Sequence, residues 1–99
     1  NGVFRMGFVT VSHWTASEMS DEMIQIAQDK FVPMIMSVGA SGVQMVRTGD
    51  LSMMVVTQFV DEATGMSAQE KIAGIRSKAA EEFPMTMESS HAGSVMAEA

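Results

Sequence analysis

The chain has no cysteine and no tyrosine, one tryptophan, two prolines, and half as many basic residues as acidic ones. Without cysteine there is no disulfide, no thiolate-bound zinc or iron–sulfur cluster and no cysteine nucleophile. A reducing cytoplasm is the expected location. Six basic residues against twelve acidic ones leave a net charge of −6, and only Lys71, Arg76 and Lys78 cluster. That balance argues against nucleic acid, whose phosphates need a basic face. The longest uninterrupted apolar run is the four residues 53–56, so no membrane span is expected. The N-terminal residues lack the charged region and apolar stretch of a signal peptide. Low-complexity tracts are absent, and only residues 94–99 have the composition of a loose tail.

What remains is 99 residues, 46% of them hydrophobic. That composition predicts one domain over residues 1–99, with a core of modest size. Residues 3–11 (VFRMGFVTV) are rich in β-branched and aromatic side chains and predict a strand. Ser20 with Asp21 and Glu22 marks the start of a helix, although Thr15 and Ser17 offer competing caps. Met23, Ala27, Phe31, Met34, Ile35 and Val38 then recur at helical spacing. Pro33 interrupts this pattern and predicts a kink or an early end. Residues 39–42 (GASG) stop the helix.

Residues 43–48 and 51–60 predict a hairpin of two strands around Thr48-Gly49-Asp50. Residues 61–65 have the composition of a polar loop. Ser67-Ala-Gln-Glu70 has the form of a capping box and predicts a second helix over 68–83, with Ile72, Ile75, Ala79 and Phe83 inward. Gly74 weakens that helix, and Pro84 ends it. Residues 85–96 predict a fourth strand. The order β-α-β-β-α-β is that of ferredoxin-like α+β domains. Right-handed crossovers place both helices on one face of a four-stranded antiparallel sheet.

The first and third strands carry apolar residues on both faces: Phe4, Met6 and Phe8 against Val3, Val9 and Val11, and Met53, Val55 and Phe59 against Met54, Val56 and Val60. A sheet with one wet face should alternate apolar and polar residues, so a second cover is needed. A second copy of the chain on a two-fold axis supplies it most economically. The other cover is the chain's own fourth strand and tail. In element order and hydrophobic pattern, residues 3–96 resemble the dimeric α/β-barrel superfamily, which includes antibiotic-biosynthesis monooxygenase domains and stress-responsive barrel proteins. The resemblance implies a homodimer with facing sheets and a pocket in each subunit between helices and sheet. Activities in the superfamily range from cofactor-free oxygenation to haem degradation and isomerisation. Haem-degrading members carry an iron-binding histidine on the second helix; residues 68–83 have none. Oxygenases of the superfamily often use tyrosine, asparagine and tryptophan. This chain offers Trp14 and, as its one asparagine, Asn1.

The candidate site residues are Arg5, His13, Trp14, Phe31 and His91. His13 and Trp14 are expected in the loop after the first strand, at the pocket mouth. His91 is expected in the fourth strand, sharing a face with Met85, Met87 and Ser89. Either histidine suits a general base or a donor to a ligand's polar head; the plainer reading is a surface loop histidine and a hydrogen-bonded sheet histidine. Two histidines 78 positions apart with no nearby carboxylate pattern make a weak metal signal, and no metal site is expected. Arg5, in a central strand, needs an acceptor: either Glu88 on the neighbouring strand or the partner subunit, or else a ligand carboxylate. Twelve methionines are far above ordinary usage. Their core spacing favours adaptable apolar filling or a pliable pocket over thioether copper ligands. No phosphate loop, nucleophile elbow or cofactor motif is present. The expected function is binding of a small apolar or amphipathic molecule, acyl- or polyketide-like. The alternative is a cofactor-independent monooxygenase or isomerase.

Overall fold

The structure, a computed structural model, describes residues 7–99. The elements run β1 (Phe8–Ala16), α1 (Asp21–Ile26), a π-helical turn (Ala27–Phe31), α2 (Val32–Ser37), β2 (Gly42–Gly49), β3 (Ser52–Phe59), α3 (Glu62–Glu82) and β4 (Met85–Ser94). The four strands form one antiparallel sheet in the order β2-β3-β1-β4. The rod of α1, π-turn and α2 and the long α3 pack on the same face, because Ile35, Ala68 and Ile72 share one core with Phe8 and Phe59. The β-α-β-β-α-β order is as the sequence predicts.

Four local features differ from the expectation or decide between its alternatives. First, β1 runs on through His13 and Trp14 to Ala16, beyond its expected end; the expected start at residues 3–6 lies outside the described residues. The residues that resemble a strand end, Ser12 and His13, continue the strand. Along it, Phe8, Thr10, Ser12 and Trp14 are buried toward the helices, and Val9, Val11, His13 and Thr15 face away. Ser12 is small enough to point inward, and its hydroxyl oxygen accepts a 2.8 Å hydrogen bond from Trp14 Nε1, so neither polar group is left unpaired.

Second, α3 starts at Glu62. Asp61 is its cap, its carboxylate accepting from Thr64 N at 2.8 Å, so the expected loop over 61–65 is the helix's first turn. Ser67, expected as the cap, lies within the helix and donates to the Ala63 carbonyl at 2.8 Å. Third, Pro33 does not end the first helical segment. It follows the π-turn, in which Val32 N donates to the Ala27 carbonyl. Pro33 has no N–H to give to the Asp29 carbonyl, which loosens the rod at this point. Fourth, β4 contains a bulge. Met87 lies opposite Trp14 and Ser89 opposite His13, so Glu88 is an extra residue. The bulge changes the facing of the strand. Met87 sits on the helix side with Trp14, while His91, opposite Val11, looks out from the other face.

Candidate functional site

Burial falls along the helix-facing side of the sheet from one end to the other. At the β1 start, Phe8 and Phe59 lie opposite each other in the register, both buried. Gly65 of α3 presses on this pair so closely that a Cβ there would stand 2.3 Å from Phe8 Cδ2. Toward the β2–β3 hairpin, Thr57 is still buried, Val55 and Met53 are half-buried, and Arg47 is exposed. Small residues line both sides here, Ser12 from the sheet and Ala27 and Ala79 from the helices, and leave space between the layers. The result is a cleft of about 750 Å³, open to solvent, between the helical layer and the sheet.

Its walls are mostly apolar. The sheet contributes Trp14, Val43, Met45, Met53, Val55 and Met85; the helices contribute Met23, Phe31, Ile35, Ile72, Ile75 and Phe83. The π-turn explains how one rod supplies so many of these. Met23, Ala27, Phe31 and Ile35 are spaced by four, and in an unbroken α-helix three such steps rotate by about 120°. The wider turn at 27–31 takes much of that rotation back and keeps all four against the cleft. Phe31 is 2% exposed and its ring meets Phe83 at 5.4 Å. The exposed ion pair of Lys30 and Glu82 clasps the same two elements.

Trp14 and Phe31 both line one cleft, although Trp14 forms a wall within β1 and is 4% exposed instead of standing in a loop at the mouth. His13 and His91 are not part of it. Both are exposed on the opposite face of the sheet, their ring centroids 6.4 Å apart. The placement of His13 in the β1–α1 loop is overturned by the length of β1. The shared face of His91 with Met85 and Met87 is overturned by the Glu88 bulge. Arg5 lies outside the described residues, as do Phe4 and Met6. Glu88, its expected acceptor, receives the Thr15 hydroxyl at 2.7 Å.

Arg76 is the site residue that the sequence reading passed over. It lies four residues beyond Ile72 and three before Ala79, which places it on the inward side of α3, and it lines the cleft half-buried. Burial pushes its guanidinium below its ordinary pKa. Arg47, at the hairpin end, also lines the cleft and reaches the Met19 carbonyl at 3.4 Å. No acid, histidine or lysine is among the described lining residues. Among the described residues no group of three or more histidines, cysteines or acids could hold a metal.

No protein-family profile matches the sequence, and no curated protein matches it either. Solved structures do. A protein of unknown function from Nitrosomonas europaea superposes with a TM-score of 0.68 at 14% identity, over 95% of this chain and 93% of its own. A dimeric ferredoxin-like protein from an uncultured marine organism superposes with a TM-score of 0.59 at 10% identity, over 95% and 91%. The fold is ferredoxin-like. In this ferredoxin-like chain the sheet face away from the helices carries Val9, Val11, Val46, Met54 and Val56. All five are half-buried and contiguous in the strand register. His13, His91, Gln44 and Gln58 surround them, all exposed.

Proposed function

We propose that the cleft binds a small apolar or amphipathic molecule, and that the chain works as a homodimer joined through the open sheet face. The observation that carries the first part is the cleft itself. A volume of about 750 Å³ lies within the range of ligand pockets, about 300–1,000 Å³. The cleft is open to solvent, so the space holds water until a ligand displaces it. Its lining of methionine, phenylalanine and aliphatic side chains favours a flexible carbon chain, each buried methylene contributing about 0.8 kcal/mol. A sugar or nucleotide would leave polar groups unpaired there, at about 1–3 kcal/mol each. Oxygenase or isomerase chemistry by proton abstraction needs a base beside the substrate, and the described lining offers none. Binding is thus the better-supported reading.

The dimer rests on five apolar residues grouped on a sheet face that no element among the described residues covers, a grouping that marks interaction surfaces. A similar fold occurs in a protein described as dimeric. Among the described residues no helix is long and apolar enough to cross a membrane.

Titration with acyl compounds of about ten carbons, followed by Trp14 fluorescence and thermal unfolding, tests the binding proposal. Both signals should move, and native mass spectrometry of the purified protein should reveal a copurifying apolar compound. A polar metabolite that shifts both signals where acyl compounds shift neither would overturn it.

A further inference from the structure

Charge is distributed unevenly between the cleft and the rest of the chain. The molecule has twelve acids and six cations in all, yet the described lining of the cleft has two arginines and no acid. Arg47 is exposed at the hairpin end and touches a backbone carbonyl. Arg76 is deeper, half-buried between Ile75 and Ala79, and has no hydrogen bond or ion pair among the described residues. Its helical neighbours cannot supply one, because positions three and four residues away are Ala73, Ala79, Ile72 and Ala80. Residues 1–6 contain no acid that could serve.

A cation left half-desolvated without an acceptor is costly, and buried cations ordinarily have partners. Arginine is the cation that tolerates the position best, being weakly hydrated, and it remains charged at any physiological pH. Its planar fork matches a carboxylate with two parallel hydrogen bonds. Phe31, Ile72, Ile75, Met45 and Val55 line the same cleft, and an apolar setting of that kind strengthens any such bond.

We propose that Arg76 is the anchor for a carboxylate on the bound molecule, so that the cleft selects monoanionic medium-chain acids over neutral or cationic chains of equal length. The inference rests on the reading of the cleft as an apolar binding site and adds the chemistry of the ligand's head. The carboxylate would meet the guanidinium while the chain lies along the methionine and phenylalanine walls toward Trp14. Arg76 thus takes the part that the sequence reading assigned to Arg5, His13 or His91.

The experiment compares decanoate, decanol and decylamine by Trp14 fluorescence titration on the full chain. The set is repeated on Arg76→Met, which keeps length and apolarity, on Arg76→Lys, and on Arg47→Met. Wild type should bind decanoate about ten- to a hundredfold more tightly than decanol, as expected for a charge-assisted hydrogen-bonded pair, and decylamine most weakly. Arg76→Met should bring decanoate down to the level of decanol and leave decanol unchanged. Arg76→Lys should keep part of the preference, and Arg47→Met should keep most of it. Equal binding of decanoate and decanol to wild type overturns the anchor while leaving the apolar cleft standing, and needs no variant to fold. A preference that survives Arg76→Met, or one lost in Arg47→Met instead, overturns the assignment to Arg76. Failure of all three compounds to bind overturns both the anchor and the cleft reading.

Discussion

Two glycines of α3 look alike in the sequence and differ entirely in their surroundings. Gly65 stands under the Phe8 ring, where a Cβ would approach to 2.3 Å, while Gly74 is exposed and a Cβ there meets nothing within 4 Å. Gly65→Ala should therefore lower stability by about 1–3 kcal/mol through overpacking, and Gly74→Ala should raise it by up to about 1 kcal/mol through helix propensity. Urea denaturation of the two variants checks both signs; equal effects would show that the packing against Phe8 is looser than described. The same contrast separates the site residues. Phe31 was legible as an apolar member of a helical repeat. Arg76 occupies the same kind of inward position on α3, but a charged residue is ordinarily assigned to the solvated side. Its signal was positional: i+4 from Ile72 and i−3 from Ala79.

The elements existed in the sequence more clearly than their ends did. Hydrophobic spacing and turn chemistry predicted all four strands and both helical rods, because those signals arise from the pleat and the helical turn themselves. The ends depended on which of several caps captured the chain. Asp61 won over Ser67, and the competition has a direct test. Asp61→Ala should cost about 0.5–2 kcal/mol, as loss of a cap does, whereas Ser67→Ala should stay within about 0.5 kcal/mol as an exposed mid-helix change. Thermal unfolding of the pair decides between them. The β1 end was misplaced because Thr10 and Ser12 point inward and Val9 and Val11 outward, the reverse of what hydrophobicity alone implies. That reversal is tolerable only because the Trp14 indole donates to Ser12 and because a half-buried apolar stripe looks out from the other face. The Glu88 bulge left no mark in the sequence, yet it decides that His91 stands beside His13 and away from the cleft.

For the whole molecule, the two sides of the sheet carry separate duties in the proposed reading: one holds a ligand, the other a second copy. Val11 and Val56 are direct cross-strand neighbours at the middle of the open face. Light scattering at micromolar concentration should report about twice the chain mass of 10.7 kDa for wild type. Val56→Glu should report the single-chain mass with its circular dichroism retained, since the charge would face water in a lone subunit and be buried without a partner in a dimer. Wild type scattering as a single chain would overturn the dimer. The placement of the methionines also gives the molecule a graded chemical sensitivity. Met96 and Met66 are 91% and 59% exposed, whereas Met19, Met23, Met45, Met53 and Met85 line the cleft half-buried. Peroxide should convert the exposed pair to sulfoxides first and reach the lining five later. Each lining sulfoxide would place a polar group on an apolar wall. Oxidative damage would then erode ligand affinity before it unfolds the chain, and an occupied cleft would slow its own inactivation.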